Sequence, residues 1–268
     1  MPSLSLRPVP RSPRSAPCAR AILALILREM TTTYGRSPGG YLWTVIEPVA
    51  GIAFLTAIFS LVLRAPSLGV NFPIFYASGM LPFLLFTSTN GKLAHSLRFS
   101  KQLLAYPAVT FIDAILARFF LSIGTNAIVA YLIIGTILWG FDTRLVPDFG
   151  IIVEGFALAV GLALGVGTLN AYLFTRFEMW QNIWSILTRP LFIASGIFFI
   201  FETIPAPYAN ILWFNPLIHV VGIVRRGFYA GYDAPYASAL YVGAVSMGCF
   251  LLGLFLLYRH HRDLLEAI

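Results

Sequence analysis

The stretch Thr31–Gly51, TTTYGRSPGGYLWTVIEPVAG, decides the fold. Gly35, Pro38, Gly39 and Gly40 supply a turn, and an apolar run starts immediately behind them. On the upstream side, residues plotted at about 100° apart place Ile22, Leu23, Ile26, Leu27 and Met30 on one face and Arg20, Ala24, Arg28 and Thr31 on the other. Such a helix lies on a membrane rather than through it. The turn is therefore an elbow that takes an in-plane helix into a perpendicular one. Tyr41 and Trp43 sit where aromatic rings anchor a span, and Glu47-Pro48 sets a carboxylate one turn inside.

Composition agrees with a membrane entry. Of 268 residues, 58% are hydrophobic and 11% charged, and the mean hydropathy is +0.81. No single soluble core buries that much apolar side chain, so the chain is polytopic. The net charge of +7 is unevenly spread, with Arg7, Arg11, Arg14, Arg20, Arg28 and Arg36 all ahead of the first long apolar run. A basic head of this kind belongs in the cytoplasm. The competing reading, a signal peptide, is weak because Ala21–Leu27 is short and broken by Arg28-Glu29. Cys18 and Cys249 offer no disulfide framework.

A crossing helix needs roughly 20 apolar residues. The runs that qualify are Leu42–Leu63, Phe72–Ser88, Val109–Trp139, Phe149–Phe174, Ile183–Phe201 and Tyr236–Tyr258. Tyr208–Val224 is interrupted by Asn215-Pro216 and His219. With six crossings the inner side holds Lys92, Arg98, Lys101, Arg176, Arg189, Arg259 and Arg262, and the outer side only Arg64, Arg144, Arg225 and Arg226. The charge rule favours this count, with both termini inside. The interrupted segment then reads as a re-entrant helical hairpin, tolerable where protein or a water-filled cavity covers its broken backbone.

Catalytic constellations are missing from the sequence. His95, His219, His260 and His261 form no metal-binding pair, and Ser78-Gly79 and Ser195-Gly196 lack a nucleophile elbow. Gly91-Lys92 has no phosphate loop around it, so if the chain does energised work the nucleotide binds elsewhere. Glu47, Asp113, Arg118 and Glu154 cluster near span ends, whereas an ion-coupled carrier would bury such groups near the midplane. For Asp113 the choices are a helix first turn, where the dipole favours negative charge, and a cation on a neighbouring helix.

The loop Lys92–Pro107, KLAHSLRFSKQLLAYP, is basic and carries Leu97, Leu103, Leu104 and Tyr106. These side chains demand cover, from a docking protein or from lipid.

The in-plane helix, the elbow TYGRSPGGYLWTVIEP, the loop SKQLLAYP with FIDAILARFFL after it, LPFLLFTSTN, and NPLIHVVGIVRRGFY before the last span together resemble the ABC-2 type permeases of polysaccharide exporters, and within them the capsular polysaccharide export subunit. The likeness covers the chain from about Ala19 onward. Ser122 departs from it, standing where many relatives carry an acidic residue. The resemblance implies an all-α polytopic membrane protein. Its parts are a basic tail over 1–18 and one ABC-2 type transmembrane domain over 19–268. That domain has an N-terminal amphipathic interface helix, six transmembrane helices, a cytoplasmic coupling loop after the second span and a re-entrant periplasmic hairpin before the last.

It further implies a permease rather than an enzyme, in the bacterial inner membrane. The permease is a homodimer with two ABC ATPase subunits that carry Mg-ATP. A periplasmic co-polymerase-like adaptor, an outer-membrane export protein and a lipid-linked acidic polysaccharide complete the system, and nucleic acid has no part in it. Related ABC-2 permeases for O-antigen, teichoic acid, lipid or drug export are the alternative.

Residues expected to couple to the ATPase are Arg28, Arg98, Ser100, Lys101, Leu103, Leu104 and Tyr106. A polymer path wants aromatic platforms with few tight charges, and Trp43, Phe54, Phe83, Phe86, Trp184, Phe192 and Phe198 are candidates for path or for packing. Arg225 and Arg226 are either interfacial anchors or forks for an acidic chain.

Overall fold

The computed structural model describes residues 17–31, 40–101 and 110–260. The elbow turn at 32–39, most of the basic tail, the end of the chain beyond 260 and the coupling-loop residues Leu103, Leu104 and Tyr106 lie outside the described residues. Among those described, the chain is all-helical.

Helix α1 (Pro17–Glu29) precedes α2 (Gly40–Val62), α3 (Phe72–Ala94), the short α4 (Ser96–Phe99), α5 (Phe111–Gly140) and α6 (Phe149–Arg176). Then come α7 (Glu178–Ala194), the pair α8 (Ala206–Leu212) and α9 (Pro216–Phe228), and α10 (Ala239–Arg259). Helices α2, α3, α5, α6 and α10 are long and apolar enough to cross a membrane, while α8 and α9 meet at 99° across a short break. Local chemistry places the starts. Thr110 and Asp113 form a reciprocal capping box at α5, which settles Asp113 in a helix first turn. Asp148 accepts from the Gly150 and Ile151 amides at α6, Asn215 from Leu217 at α9 and Ser238 from Tyr241 at α10.

Helix α3 is the most enclosed span and α2 the least. Helices α6 and α10 pack backbone to backbone, because Gly165 lies directly against the Ser246 carbonyl and a Cβ on Gly253 would come within 2.7 Å of the Leu169 nitrogen. Those two contacts rise together along both helices, so α6 and α10 run parallel. The chain between them must therefore return once to the far end of the bundle. The return is made by α7 together with the bent pair.

The fifth span differs from its expected limits. A run over Ile183–Phe201 was expected to be one helix, but α7 starts five residues earlier, at Glu178, and stops at Ala194. Its end is set by Ser195 and Gly196, the latter at φ +76°, a conformation that glycine adopts without a Cβ clash. At 1.5 Å per residue, α7 is about 25 Å long, shorter than a full span, and the hairpin completes the traverse.

The in-plane helix also differs in detail. Its face toward the bundle carries Leu25 and Glu29, both buried, while Leu23 and Leu27 stand exposed.

Candidate transport and coupling site

At the end of the bundle where α1 lies, polar chemistry converges on Arg118 of α5. Its guanidinium is 3.2 Å from the Glu29 carboxylate, with side-chain exposures of 10% and 6%. It also donates to the Lys92 carbonyl at 2.8 Å and lies 4.1 Å from the centre of the Phe99 ring. Arg28 approaches the same ring at 5.9 Å. One cation therefore joins α1, the end of α3, α4 and α5, and a pair so enclosed costs roughly 3–5 kcal/mol to break from one side.

The expected coupling residues separate at this end. Arg98 donates to the Phe174 carbonyl at 2.6 Å, fastening α4 to the end of α6. Arg98 and Lys101 are exposed and Ser100 is buried. Leu97, expected to need an outside partner, is already covered by the chain itself, in a cluster with Leu93, Ile115, Phe119, Tyr172 and Leu257. Ser122, the departure from the resemblance, is fully buried and shares a 2.9 Å hydrogen bond with Thr89. A neutral network occupies the place where a carboxylate was expected.

At the other end, Arg225 is 2% exposed, the largest side chain buried so completely among the described residues. It donates to the Phe199 carbonyl at 2.7 Å and to the Ile197 carbonyl at 2.9 Å, with its guanidinium 4.2 Å from the Phe75 ring centre. The expectation of an interfacial anchor or polymer fork at Arg225 gives way to a cation enclosed by protein, because the turn after α7 offers two unpaired carbonyls that only a buried donor can reach. Arg226 points elsewhere and lies 3.7 Å from Glu154, partly exposed.

Around them the loop between α9 and α10 carries three tyrosines. Tyr232 donates to Glu202 at 3.0 Å, and Tyr236 stacks on Phe201 with ring centres 4.1 Å apart. Burial pushes the Tyr236 phenol up to about 12, and it raises Tyr229 and Tyr232 as well. His219 receives the Ser238 amide on Nδ1 at 3.1 Å, so its Nε2 carries the proton given to the Trp213 carbonyl at 2.7 Å. The carbonyls at the hairpin's break are thus paired within the chain, Trp213 by His219 and Phe214 by the Tyr241 hydroxyl at 2.8 Å.

The aromatic candidates divide. Phe83 and Phe86 are buried in the main core. Phe83 meets Phe192 at 5.2 Å, Phe192 meets Phe198 at 5.3 Å, Phe198 meets Phe59 at 5.9 Å and Phe59 meets Tyr76 at 5.4 Å. This ladder joins α2, α3, α7 and the turn beyond it. Trp184 and the rung Phe198 are half-buried, and Trp43 and Phe54 face outward from α2 at 63% and 64% exposure.

Sequence reading missed the helix face beside this ladder. No residue of α7 is buried. Glu178, Gln181, Asn182, Ser185, Thr188 and Arg189 fall within about 120° of one another on a helical projection, and all but Thr188 are exposed. Arg189, which the charge count set on the inner side, stands eleven residues along α7, about 16 Å from Glu178. The signal was present as a spacing of three and four among the polar residues, concealed by the more apolar segment that follows. Hydrocarbon cannot satisfy such groups, so this face meets water, polymer or protein. Among the described residues no group of three or more His, Cys, Asp or Glu could hold a metal ion.

Residues 20–229 match the ABC-2 type transporter family. The chain is 31% identical over 242 residues to the polysialic acid transport protein KpsM of Escherichia coli, covering 90% of this chain and 93% of that one. It is 27% identical to the capsule polysaccharide export inner-membrane protein BexB of Haemophilus influenzae, over 88% of this chain and 89% of that one. The capsule polysaccharide export inner-membrane protein CtrC of Neisseria meningitidis serogroup B gives the same identity and the same coverage. A polytopic helical bundle with a bent hairpin, matched over this length, is the membrane permease of a transporter: the chain belongs to the ABC-2 type transporter family, alongside KpsM, BexB and CtrC.

Proposed function

We propose that this chain is the membrane subunit of an ATP-driven exporter that carries a lipid-linked acidic capsular polysaccharide across the bacterial inner membrane. The observation that carries the reading is the polar face of α7, with Arg189 partway along it, running beside the Phe192 and Phe198 ladder. Sugar hydroxyls bond to amides and hydroxyls, ring faces rest on aromatics, and a guanidinium meets an acidic unit through paired hydrogen bonds. Exposed aromatics of α2, Trp43 and Phe54, stand on the same account in the wall that a second copy completes, with Trp184 and Phe198 at the mouth of the ladder. Phe83, Phe86 and Arg225 hold that wall from behind, and Arg226 stands at the exit.

Two copies of the chain enclose the path and engage two ATPase subunits that bind Mg-ATP. Arg28, Arg98, Lys101, Leu103, Leu104 and Tyr106 form the docking face, with Ser100 buried behind it, and both termini are cytoplasmic. A periplasmic adaptor and an outer-membrane protein receive the polymer. The names of KpsM, BexB and CtrC support capsule material as the cargo.

The test is Arg189→Gln and the double change Gln181→Leu with Ser185→Leu, introduced into a strain lacking the native gene. Surface polysaccharide should fall several-fold while polymer accumulates inside and permease still co-purifies with its ATPase. Undiminished surface polymer from both variants would remove α7 from the path and the reading with it.

A further inference from the structure

Helix α2 touches its neighbours lightly, and the gap it leaves against α3 and α5 is graded from polar to apolar. Near the α1 end, a cavity of about 400 Å³ is walled by Glu47, Thr87, Ser88, Lys92, Thr125 and Asn126. One helical turn further along, a second cavity of about 420 Å³ is lined by Val49, Ile52, Ala53, Ile133, Ile137 and Phe141. Pro48 and Val49 are consecutive, and Val129 of the first cavity is one turn from Ile133 of the second, so the two lie end to end along the groove between α2, α3 and α5. A groove with a polar foot and an apolar shaft matches an amphiphile.

Hydrogen-bond accounting at the foot specifies its head. The Thr87 hydroxyl proton is spent on the Phe83 and Leu84 carbonyls, and that of Thr125 on the Leu121 carbonyl. Asn126 gives its amide protons to Ser88 and to the Ser122 carbonyl, and the Ser88 hydroxyl proton is spent on the Asn126 Oδ1 at 3.2 Å. What these groups keep is lone pairs, and Glu47 adds a carboxylate that pairs with no cation among the described residues. Acceptors around a cavity call for a donor-rich cation, and Lys92 on the same wall, already engaged within the protein, adds positive charge near a neighbouring phosphate.

We propose that this groove binds one phospholipid with an ethanolamine headgroup, its ammonium on Glu47 and the hydroxyl oxygens, its phosphate toward Lys92, and one acyl chain in the apolar shaft. The site is separate from the polar face of α7, and the lipid is a resident component rather than cargo. Binding is measured without transport, so its outcome is independent of the exporter reading.

The full-length permease, purified in detergent and equilibrated with equimolar dioleoyl-phosphatidylethanolamine and dioleoyl-phosphatidylglycerol, is examined by native mass spectrometry. One ethanolamine lipid per chain should be retained in preference to the glycerol lipid. Glu47→Gln should reduce that preference about tenfold without reducing permease recovery, and Ala53→Trp, which fills the shaft, should lose both lipids. Should Ala53→Trp misfold, Ile137→Phe provides the same obstruction with a smaller increase in volume. Equal retention of the two lipids, or preference unchanged by Glu47→Gln, overturns the proposal. So does an efficient disulfide between copies at Ala53→Cys in a background of Cys18→Ser and Cys249→Ser, which would show that a second chain fills the groove.

Discussion

Replacing Arg225 by methionine removes a buried cation whose contacts can be counted. Two charge-assisted hydrogen bonds, to Phe199 at 2.7 Å and Ile197 at 2.9 Å, disappear, each worth about 1.5–3 kcal/mol. The stacking on Phe75 at 4.2 Å is lost as well, about 2 kcal/mol in a desolvated setting. Against these stands the relief of no longer dehydrating a guanidinium, several kcal/mol in the opposite direction. The expected net loss is about 3–4 kcal/mol, within the range seen when one side of a buried polar contact is deleted.

Lysine keeps a charge but has no fork, so it serves one carbonyl and should lose about 2 kcal/mol. Unfolding of the detergent-solubilised permease by a graded denaturing detergent gives both values. A second readout is local: a cysteine at Phe198 should react faster with a thiol reagent in the Arg225→Met background, because the turn behind α7 is no longer held. If methionine costs under 1 kcal/mol, or lysine and methionine cost the same, the two carbonyl contacts do not hold this turn.

Glu29→Met and Arg118→Met should each cost roughly 3–5 kcal/mol, while the double change recovers most of that, since an unpaired buried charge costs more than an apolar pair; a double-mutant cycle measures the difference. Gly165→Leu should abolish recovery of folded permease because the Ser246 backbone occupies the space, whereas Gly248→Ala, which meets nothing within 4 Å, should be recovered normally on size-exclusion chromatography. Tyr236 has its folded pKa raised from 10.0 to about 12, so its neutral form stabilises the fold fully below pH 10, and that contribution disappears as pH rises toward 12. Alkaline unfolding followed by phenolate absorbance should therefore show a loss of stability in that window, reduced in Tyr236→Phe.

The long apolar runs were legible from sequence because continuous hydrophobicity over a full bilayer thickness has few other uses; α2, α3, α5, α6 and α10 all occupy runs expected to cross. The hairpin was legible from Asn215-Pro216, which now caps and begins α9. Helix α7 was misplaced because an amphipathic helix lowers its own mean hydropathy, so the apolar window slid toward Phe201 and away from Glu178. Arg225 was misread for another reason. Counting charges along a chain assigns a cation to a side of the membrane, but the two carbonyls that hold it lie 26 and 28 positions away in sequence. Leu97 likewise looked uncovered only because its covering residues come from α3, α5, α6 and α10.

Those long-range contacts share a pattern: the polar ones repeatedly return to α6. Asn170 gives its amide to Asn90 of α3 at 3.1 Å and accepts from Trp180 of α7 at 3.0 Å. Phe174 receives Arg98 of α4. At the opposite end the Asp148 amide donates to the Gly227 carbonyl at 2.8 Å, and Glu154 faces Arg226 of α9. The glycines Gly165 and Gly253 bring α10 into backbone contact with the same helix. Helix α6 is therefore fixed along its length, while α7 is tied at its foot by Trp180, leans on the core through the half-buried Trp184, Leu191 and Phe192, and ends at the turn that Arg225 holds. Those core contacts are half-buried, so a tilt of α7 has to slide Phe192 along Phe83 and Phe198. The face such a tilt would move is the polar one carrying Gln181, Ser185 and Arg189.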